Sequence, residues 1–231
     1  RRRLFAPTAA RRSRPLRLGG SAMGDGGALA LEAAVRAMGK PLCITSLHAG
    51  NCLLSAAGVA PIARLLRDGC FGAELKQLWL HDNHAIGDKG LASIAAQLPP
   101  SLHQLEIGDC GFGDEGMTAL AARLPAGQLR TLDCRDNYRI GSSGWAALGA
   151  ALTEAKHLEV LRFQGCSGMG DGGIESLASG LPDDATLWEL HVDRCAISNV
   201  GGVHLIGAFP RCPQLRFLGA EGNIMGAAGK G

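Results

Sequence analysis

The first residues that suggest chemistry are glycine-rich segments, because the backbone amides of such loops can bind phosphate. Residues 23–27 (Met-Gly-Asp-Gly-Gly) and 168–173 (Gly-Met-Gly-Asp-Gly-Gly) have this composition. Residues 226–231 resemble part of a P-loop, but Ile224 stands where the first glycine is needed and Gly231 where a hydroxyl residue is needed. The first two segments recur in frame with a longer repeat, so we interpret them as turns and predict no phosphate site.

The second candidate is a metal site at His81 and His84, which flank Asp82. No cysteine stands at a recognised zinc spacing from them. We therefore interpret His81 as a residue of a sheet surface and His84 as a turn residue. Nucleophilic catalysis would need Ser or Cys, His and a carboxylate to converge, and no G-x-S-x-G segment is present. The sequence predicts no catalytic residue, no metal ligand and no cofactor, hence a chain that is not itself an enzyme.

These residues belong to a pattern that recurs along the whole chain. The clearest copy, residues 102–124, reads Leu-x-x-Leu-x-Ile-x-x-Cys-x-Phe-Gly-Asp-x-Gly, with leucines following at helical spacing. Its Asn, Cys or Ser position recurs at steps of 27 to 31 residues, at Ser21, Cys52, Asn83, Cys110, Asn137, Cys166, Cys195 and Asn223. Eight copies at this spacing indicate a repeat architecture.

Each copy predicts one short strand and one helix. The Leu-x-x-Leu-x-Leu segment has the period of two that is typical of a strand, and the following residues have helical spacing. The asparagines are expected to bond the backbone of the turn, and the cysteines at that position to be packed thiols. We predict helix N-caps at Asp25, Asp88, Asp114, Ser142, Asp171 and Asn199. A glycine two residues further along predicts close approach between neighbouring backbones, at Gly27, Gly58, Gly90, Gly116, Gly144, Gly173, Gly201 and Gly229.

One strand and one helix cannot bury a core alone, so the copies must stack. The predicted fold is an α/β solenoid of about eight repeats, with a parallel sheet on the concave face and helices on the convex face. The pattern resembles leucine-rich repeats of the ribonuclease-inhibitor class over residues 15–231. That class includes ribonuclease inhibitor, the Ran GTPase-activating protein and the repeats of NOD-like receptors. The resemblance implies a horseshoe that binds another protein. It leaves open a regulator of a small GTPase, or an accessory domain of a larger enzyme or immune-type receptor.

The candidate binding surface consists of the residues between and just after the inward-facing apolar positions of the strands, which should face outwards on the concave side. They vary from copy to copy while the architectural positions repeat. Trp79 is of a type favoured as a binding anchor, and the mixed charges suggest an electrostatically matched partner. The predicted partner-binding residues are Trp79, His81, Glu106, Asp133, Arg135, Arg162, Gln164, His191 and Asp193.

The charge distribution separates an N-terminal segment from the repeats. Residues 1–17 hold seven arginines and no acid, and removing their charge from the net +2 leaves −5 for the rest. We interpret residues 1–14 as a disordered Arg-rich leader or linker and residues 15–231 as the repeat domain, which stops inside its last repeat like a fragment of a longer protein. The acidic repeats predict no nucleic-acid partner, and no apolar run predicts a membrane span. Cysteines without a disulfide framework favour the cytoplasm, and the arginines leave nuclear or organellar targeting open.

Overall fold

A computed structural model describes residues 14–183 and 185–226. In this part of the chain eight short strands form one parallel sheet in sequence order, and each strand pairs residue for residue with the next. The strands are β1 (Pro15–Arg17), β2 (Ser46–His48), β3 (Gln77–Trp79), β4 (Gln104–Glu106), β5 (Thr131–Asp133), β6 (Val160–Arg162), β7 (Glu189–His191) and β8 (Phe217–Gly219). Except for Arg14, the Arg-rich leader lies outside the described residues, as do Gly229 and the rest of residues 227–231.

A helix follows each of the first seven strands. These helices are α1 (Gly24–Ala37), α2 (Ala56–Arg67), α3 (Gly87–Ala95), α4 (Asp114–Ala121), α5 (Ser142–Leu152), α6 (Gly170–Gly180) and α7 (Asn199–Gly207), and a 3₁₀ turn covers Phe209–Arg211. Among the described elements, each strand contacts the next strand along the chain, and each helix contacts the next helix. The predicted solenoid with helices on one side of a parallel sheet is confirmed. None of the described helices is both long and apolar enough to cross a membrane.

The core is a continuous layer between the sheet and the helices. The middle residue of each strand from β2 to β7 is a leucine that is almost completely buried, as in Leu78 and Leu105. Helix residues such as Leu120 meet them from the other side. Trp145, the largest fully buried side chain, packs edge-on against Phe163 with ring centroids 5.1 Å apart. The sequence predicts Trp145 on the helix side, packed in the core or between helices, and the structure places it in the core.

A buried column of asparagines and cysteines joins neighbouring repeats beyond the strand ends. Asn137 accepts a hydrogen bond from the Cys110 N–H (3.0 Å) and donates to the carbonyls of Ile107 and Cys134 (2.9 Å each). Asn83 and Asn223 bond the preceding repeat in the same way. The asparagines therefore bond the turn as predicted, and they also satisfy backbone groups of the previous repeat.

The cysteines of this column serve as thiol donors. The Cys110 thiol donates to the carbonyl of Leu80 (3.2 Å), and the Cys166 thiol donates to that of Cys134 (3.3 Å). Burial raises the pKa of Cys110 and of Cys195 to about 12, so both remain protonated at neutral pH. All eight cysteines are free. The prediction of packed thiols at this position is confirmed.

The predicted helix N-caps are wrong at every position. Those residues lie first or second inside their helices, as Asp114 does at the start of α4. The four aspartates among them instead accept hydrogen bonds from the residues at the start of the next repeat's helix. Asp114, for example, accepts from the N–H groups of Gly141 (2.6 Å) and Gly144 (3.0 Å) and from the Ser143 hydroxyl. The shift between stacked repeats places each carboxylate over the unpaired amides of the following helix.

Removing one of these carboxylates should weaken one junction between repeats. We expect Asp114→Ala to lower the free energy of unfolding by about 1–2 kcal/mol, the usual cost of losing a helix cap. Burial alone would raise the pKa of Asp114, but hydrogen bonds from Ser143, Gly141 and Gly144 outweigh it and lower the pKa. Urea denaturation followed by circular dichroism measures the loss. A change no larger than that caused by Glu115→Ala, at the exposed neighbouring position, would contradict this role.

The recurrent glycine lies where a side chain, if present, would collide with the preceding repeat. A Cβ added at Gly116 would lie 2.8 Å from the Asp88 carboxylate, and one at Gly144 would lie 2.7 Å from that of Asp114. The predicted close approach of backbones is confirmed at these two positions, where the added Cβ would lie 3.3 Å from the Asp88 α-carbon and 3.2 Å from the Asp114 α-carbon. At both positions the nearest group is the carboxylate of the capping aspartate, and the backbone of that aspartate lies slightly further away.

An ion-pair cluster joins the first two helices on their outer side. Glu32 binds Arg64 (2.5 Å) and Arg36 (3.0 Å), and Arg36 also binds Asp68 (2.7 Å). The hydrogen bond from Arg64 outweighs the effect of burial and lowers the pKa of Glu32 to about 2. A carboxylate whose pKa is lower in the folded than in the unfolded state stabilises the fold above its unfolded pKa.

The cluster predicts a specific loss of stability in acid. Stability from Glu32 should be fully present above about pH 4.5 and decline as the pH falls towards about 2, because its pKa drops from 4.5 to about 2 on folding. We expect the free energy of unfolding of Glu32→Gln to fall less steeply over this range than that of the wild type. Urea midpoints at several pH values give the slopes. Glu175→Gln, at an exposed site on α6, should keep the wild-type slope, and a Glu32→Gln slope equal to it would contradict the prediction.

Candidate functional site

The face of the sheet that lies opposite the helices, here called the concave face, carries three rows of side chains. The first two rows lie within the strands and are aligned by the strand register. The third row follows the strands, and backbone hydrogen bonds between repeats continue the alignment there. The first row is Pro15, Ser46, Gln77, Gln104, Thr131, Val160, Glu189 and Phe217. The middle row is Arg17, His48, Trp79, Glu106, Asp133, Arg162, His191 and Gly219. The third row is Gly19, Gly50, His81, Gly108, Arg135, Gln164, Asp193 and Glu221. The predicted partner-binding residues all lie in the last two rows.

Trp79 is half-buried because it stacks on His48 of the neighbouring strand. The ring centroids are 3.8 Å apart, with 17° between the planes. The sequence suggested an exposed tryptophan, but the residue beside it in the row lies 31 positions earlier and covers one indole face. Burial, then the charges of Arg17 and His81, lower the pKa of His48, which favours the neutral ring.

Asp133 is buried rather than exposed, although it lies on the concave face. Only 2% of its side chain is accessible, and it accepts a hydrogen bond from the Arg135 N–H (3.1 Å). The Arg135 guanidinium lies 3.5 Å from the carboxylate. Burial raises the pKa of Asp133 despite the opposing effects of Arg135 and Arg162. Strand alternation predicted the face correctly but not how deeply neighbouring strands would cover this side chain.

The charged residues nearer the C-terminus form an internal network. Arg162 binds Glu189 (2.7 Å), and Glu189 also contacts the His191 ring (2.9 Å). The other ring nitrogen of His191 lies 3.6 Å from Asp193, and Phe217 packs against the ring at 4.6 Å. The sequence predicted three of these residues but missed Glu189 and Phe217, which occupy the first row. Counting both outward positions of each strand would have included them.

Three polar atoms of the concave face have no hydrogen-bond partner. They are His48 Nε2, Trp79 Nε1 and Gln164 Oε1, and they are the buried side-chain nitrogen or oxygen atoms without a partner in the described part of the chain. A buried unpaired polar atom costs free energy, and native structures usually pair it. Their concentration on one face is therefore the feature of this surface that most needs an explanation.

His81 and His84, the two histidines considered as metal ligands from the sequence, each contact a carboxylate. His81 contacts Asp82 (3.0 Å), and the exposed His84 contacts Asp109 of the next repeat (2.7 Å). No group of three or more His, Cys, Asp or Glu suited to a metal ion occurs within residues 14–183 and 185–226. The placement of His81 on the sheet and His84 in a turn agrees with the structure.

Comparison with known proteins supports this architecture. A family model described as Leucine Rich repeat matches residues 75–95, 99–121 and 154–178. The leucine-rich repeat-containing protein LegL7 from Legionella pneumophila matches with a TM-score of 0.58 and 14% identity, over 94% of this chain and 67% of that one.

The chain has the fold of a leucine-rich repeat solenoid.

A chain from the crystal structure of the Rad7 and Elc1 complex in yeast is also similar to this solenoid, with a TM-score of 0.56 and 19% identity. The match covers 76% of the solenoid but only 42% of the yeast chain. A search of the curated proteins finds no significant match. At these identities the structural likeness establishes the fold of the solenoid, and the helix in every complete repeat is the arrangement that the ribonuclease-inhibitor class implies.

Proposed function

We propose that this leucine-rich repeat solenoid is a protein-interaction module without catalytic activity of its own, and that its concave face binds the partner. The observation that carries the proposal is the set of three unpaired polar atoms on that face. A partner that supplies the missing hydrogen bonds would recover free energy that the isolated chain loses.

The composition of the face supports the same role. An aromatic ring, guanidinium groups and carboxylates are arranged on rigid strands, where their positions are fixed before a partner arrives. The yeast neighbour was crystallised in a complex with another protein, which is the behaviour proposed for this solenoid. No feature of the described surface favours regulation of a GTPase over other kinds of binding.

Affinity capture from a cell extract tests the proposal with two matched variants. The concave variant carries Trp79→Ala and Gln164→Ala, which remove unpaired atoms and break no hydrogen bond described in the structure. The convex variant carries Leu29→Ala and Thr118→Ala, at exposed helix positions. We expect the wild type and the convex variant to retain the same protein and the concave variant to lose it. Equal retention by all three folded proteins would contradict binding by the concave face.

A further inference from the structure

Glu106, at the centre of the concave face, is an acidic residue without a cationic partner. Its carboxylate accepts a hydrogen bond from the Gln104 side chain (2.6 Å) and forms no ion pair in the described part of the chain. Asp133 is its neighbour in register on β5. Like charges directly opposite each other on adjacent strands destabilise a sheet. Arg135 lies against Asp133, so Glu106 is the member of the pair that favours a further cation.

The nearest cations already have anionic partners. Arg135 lies against Asp133 and Arg162 binds Glu189. Glu106, Asp133 and Arg135 together carry one net negative charge.

Glu106 is half-buried and lies between an aromatic residue, Trp79, and an acidic residue, Asp133, in the middle row. Trp79 stacks on His48 of β2, and Glu106 of β4 is its neighbour in register on the opposite side. The His81 ring also leans towards β2, over Gly50, where an added Cβ would lie 2.6 Å from the ring. Arg135 lies over Gly108, with its Cγ 2.6 Å from the position of an added Cβ. The two glycines allow the side chains to lean in this way.

We propose that Trp79 and Glu106 form a seat for an arginine or lysine side chain of the partner protein. This assignment rests on the proposed binding by the concave face and names the chemistry of its ligand. The cation would bind the Glu106 carboxylate through charge-assisted hydrogen bonds and lie against the free face of the Trp79 ring. A phosphate group would meet the net negative charge of Glu106, Asp133 and Arg135, which disfavours a nucleic acid at this place.

Selection from a displayed library of random peptides tests the seat and does not require the partner to be identified first. The full chain is the bait, and the peptides that it enriches are made with each basic residue replaced in turn by citrulline or norleucine. Citrulline keeps the shape of arginine and removes its charge, and norleucine does the same for the lysine stem. We expect enriched peptides to share one Arg or Lys whose neutralisation weakens binding by about tenfold or more, as for a charge-assisted contact.

The matching protein variant is Glu106→Gln, with Glu175→Gln on the convex side as its control. Glu106→Gln should weaken the basic peptide by a similar factor and leave the neutral peptide unchanged, whereas Glu175→Gln should affect neither. Peptides that lose affinity with Trp79→Ala but are indifferent to Glu106→Gln and to loss of their basic residue would overturn the seat and leave concave binding intact. Peptides indifferent to both concave substitutions, or no enrichment at all, would count against the seat and the proposed binding face together.

Discussion

Replacing Asn137 by alanine is expected to lower the free energy of unfolding by about 3–4 kcal/mol. Its side chain satisfies the N–H of Cys110 and the carbonyls of Ile107 and Cys134, and the asparagine itself is only 1% exposed. Alanine leaves these buried groups without partners, at about 1–3 kcal/mol each before relaxation. Urea denaturation followed by circular dichroism measures the total loss. Hydrogen exchange should place the loss in the repeats that contain β4 and β5.

The control for this substitution is Cys166→Ala in the next repeat. Its thiol makes one weak hydrogen bond, to the carbonyl of Cys134. We expect a cost of about 1 kcal/mol, from that bond and a small loss of packing. If both substitutions cost the same, the asparagines would be packing residues like the cysteines, and the proposed hydrogen-bond column would be wrong.

Replacing Trp79 by alanine is expected to weaken binding to the captured partner by about 30-fold, or about 2 kcal/mol, the loss typical of a central aromatic anchor. The fold should tolerate the change, because the ring stacks on His48 on the outward face of the sheet and is not part of the core between sheet and helices. Titration calorimetry with the purified partner gives the affinity. Trp79→Phe should fall between wild type and alanine, since it keeps an aromatic face and lacks the unpaired Nε1–H.

Leu29→Ala provides the reference for loss of an exposed apolar side chain, because Leu29 is 53% exposed on helix α1. It should leave the affinity within about twofold of wild type. A comparable loss in Leu29→Ala, or a change below twofold in Trp79→Ala, would remove Trp79 from the interface.

The fold could be predicted from sequence because its signals lie within each repeat. The periodic leucines predict the positions of the strands, and the recurrent position of Asn83 and Asn137 predicts the length of the repeat. The helix caps could not be predicted in the same way. Asp114 is close in sequence to the start of its own helix, but its hydrogen bonds go to Gly141 and Gly144 of the next one. Rules for helix caps consider only neighbours along the chain.

The sequence predicts which residues lie on the candidate site, but not how exposed their side chains are or what they contact. Alternation along a strand assigns Trp79 and Asp133 to the outward face, and the structure agrees. Whether such a side chain is exposed depends on residues about 30 positions away on adjacent strands. His48, 31 positions before Trp79, covers that ring, and Arg162, 29 positions after Asp133, is its partner in register and acts on its carboxylate. Only the stacking of repeats reveals these contacts and the unpaired atoms among them.

Site-specific photo-cross-linking tests most directly whether the concave face binds a protein. Benzoylphenylalanine is placed in turn at Thr131 on strand β5 and at Thr118, an exposed position on helix α4. Both sites replace a threonine, so the variants differ mainly in the face that carries the probe. We predict that illumination in cell extract joins a partner protein to the Thr131 probe and not to the Thr118 probe. Cross-linking from Thr118 alone would contradict concave binding and place the interface on the helices.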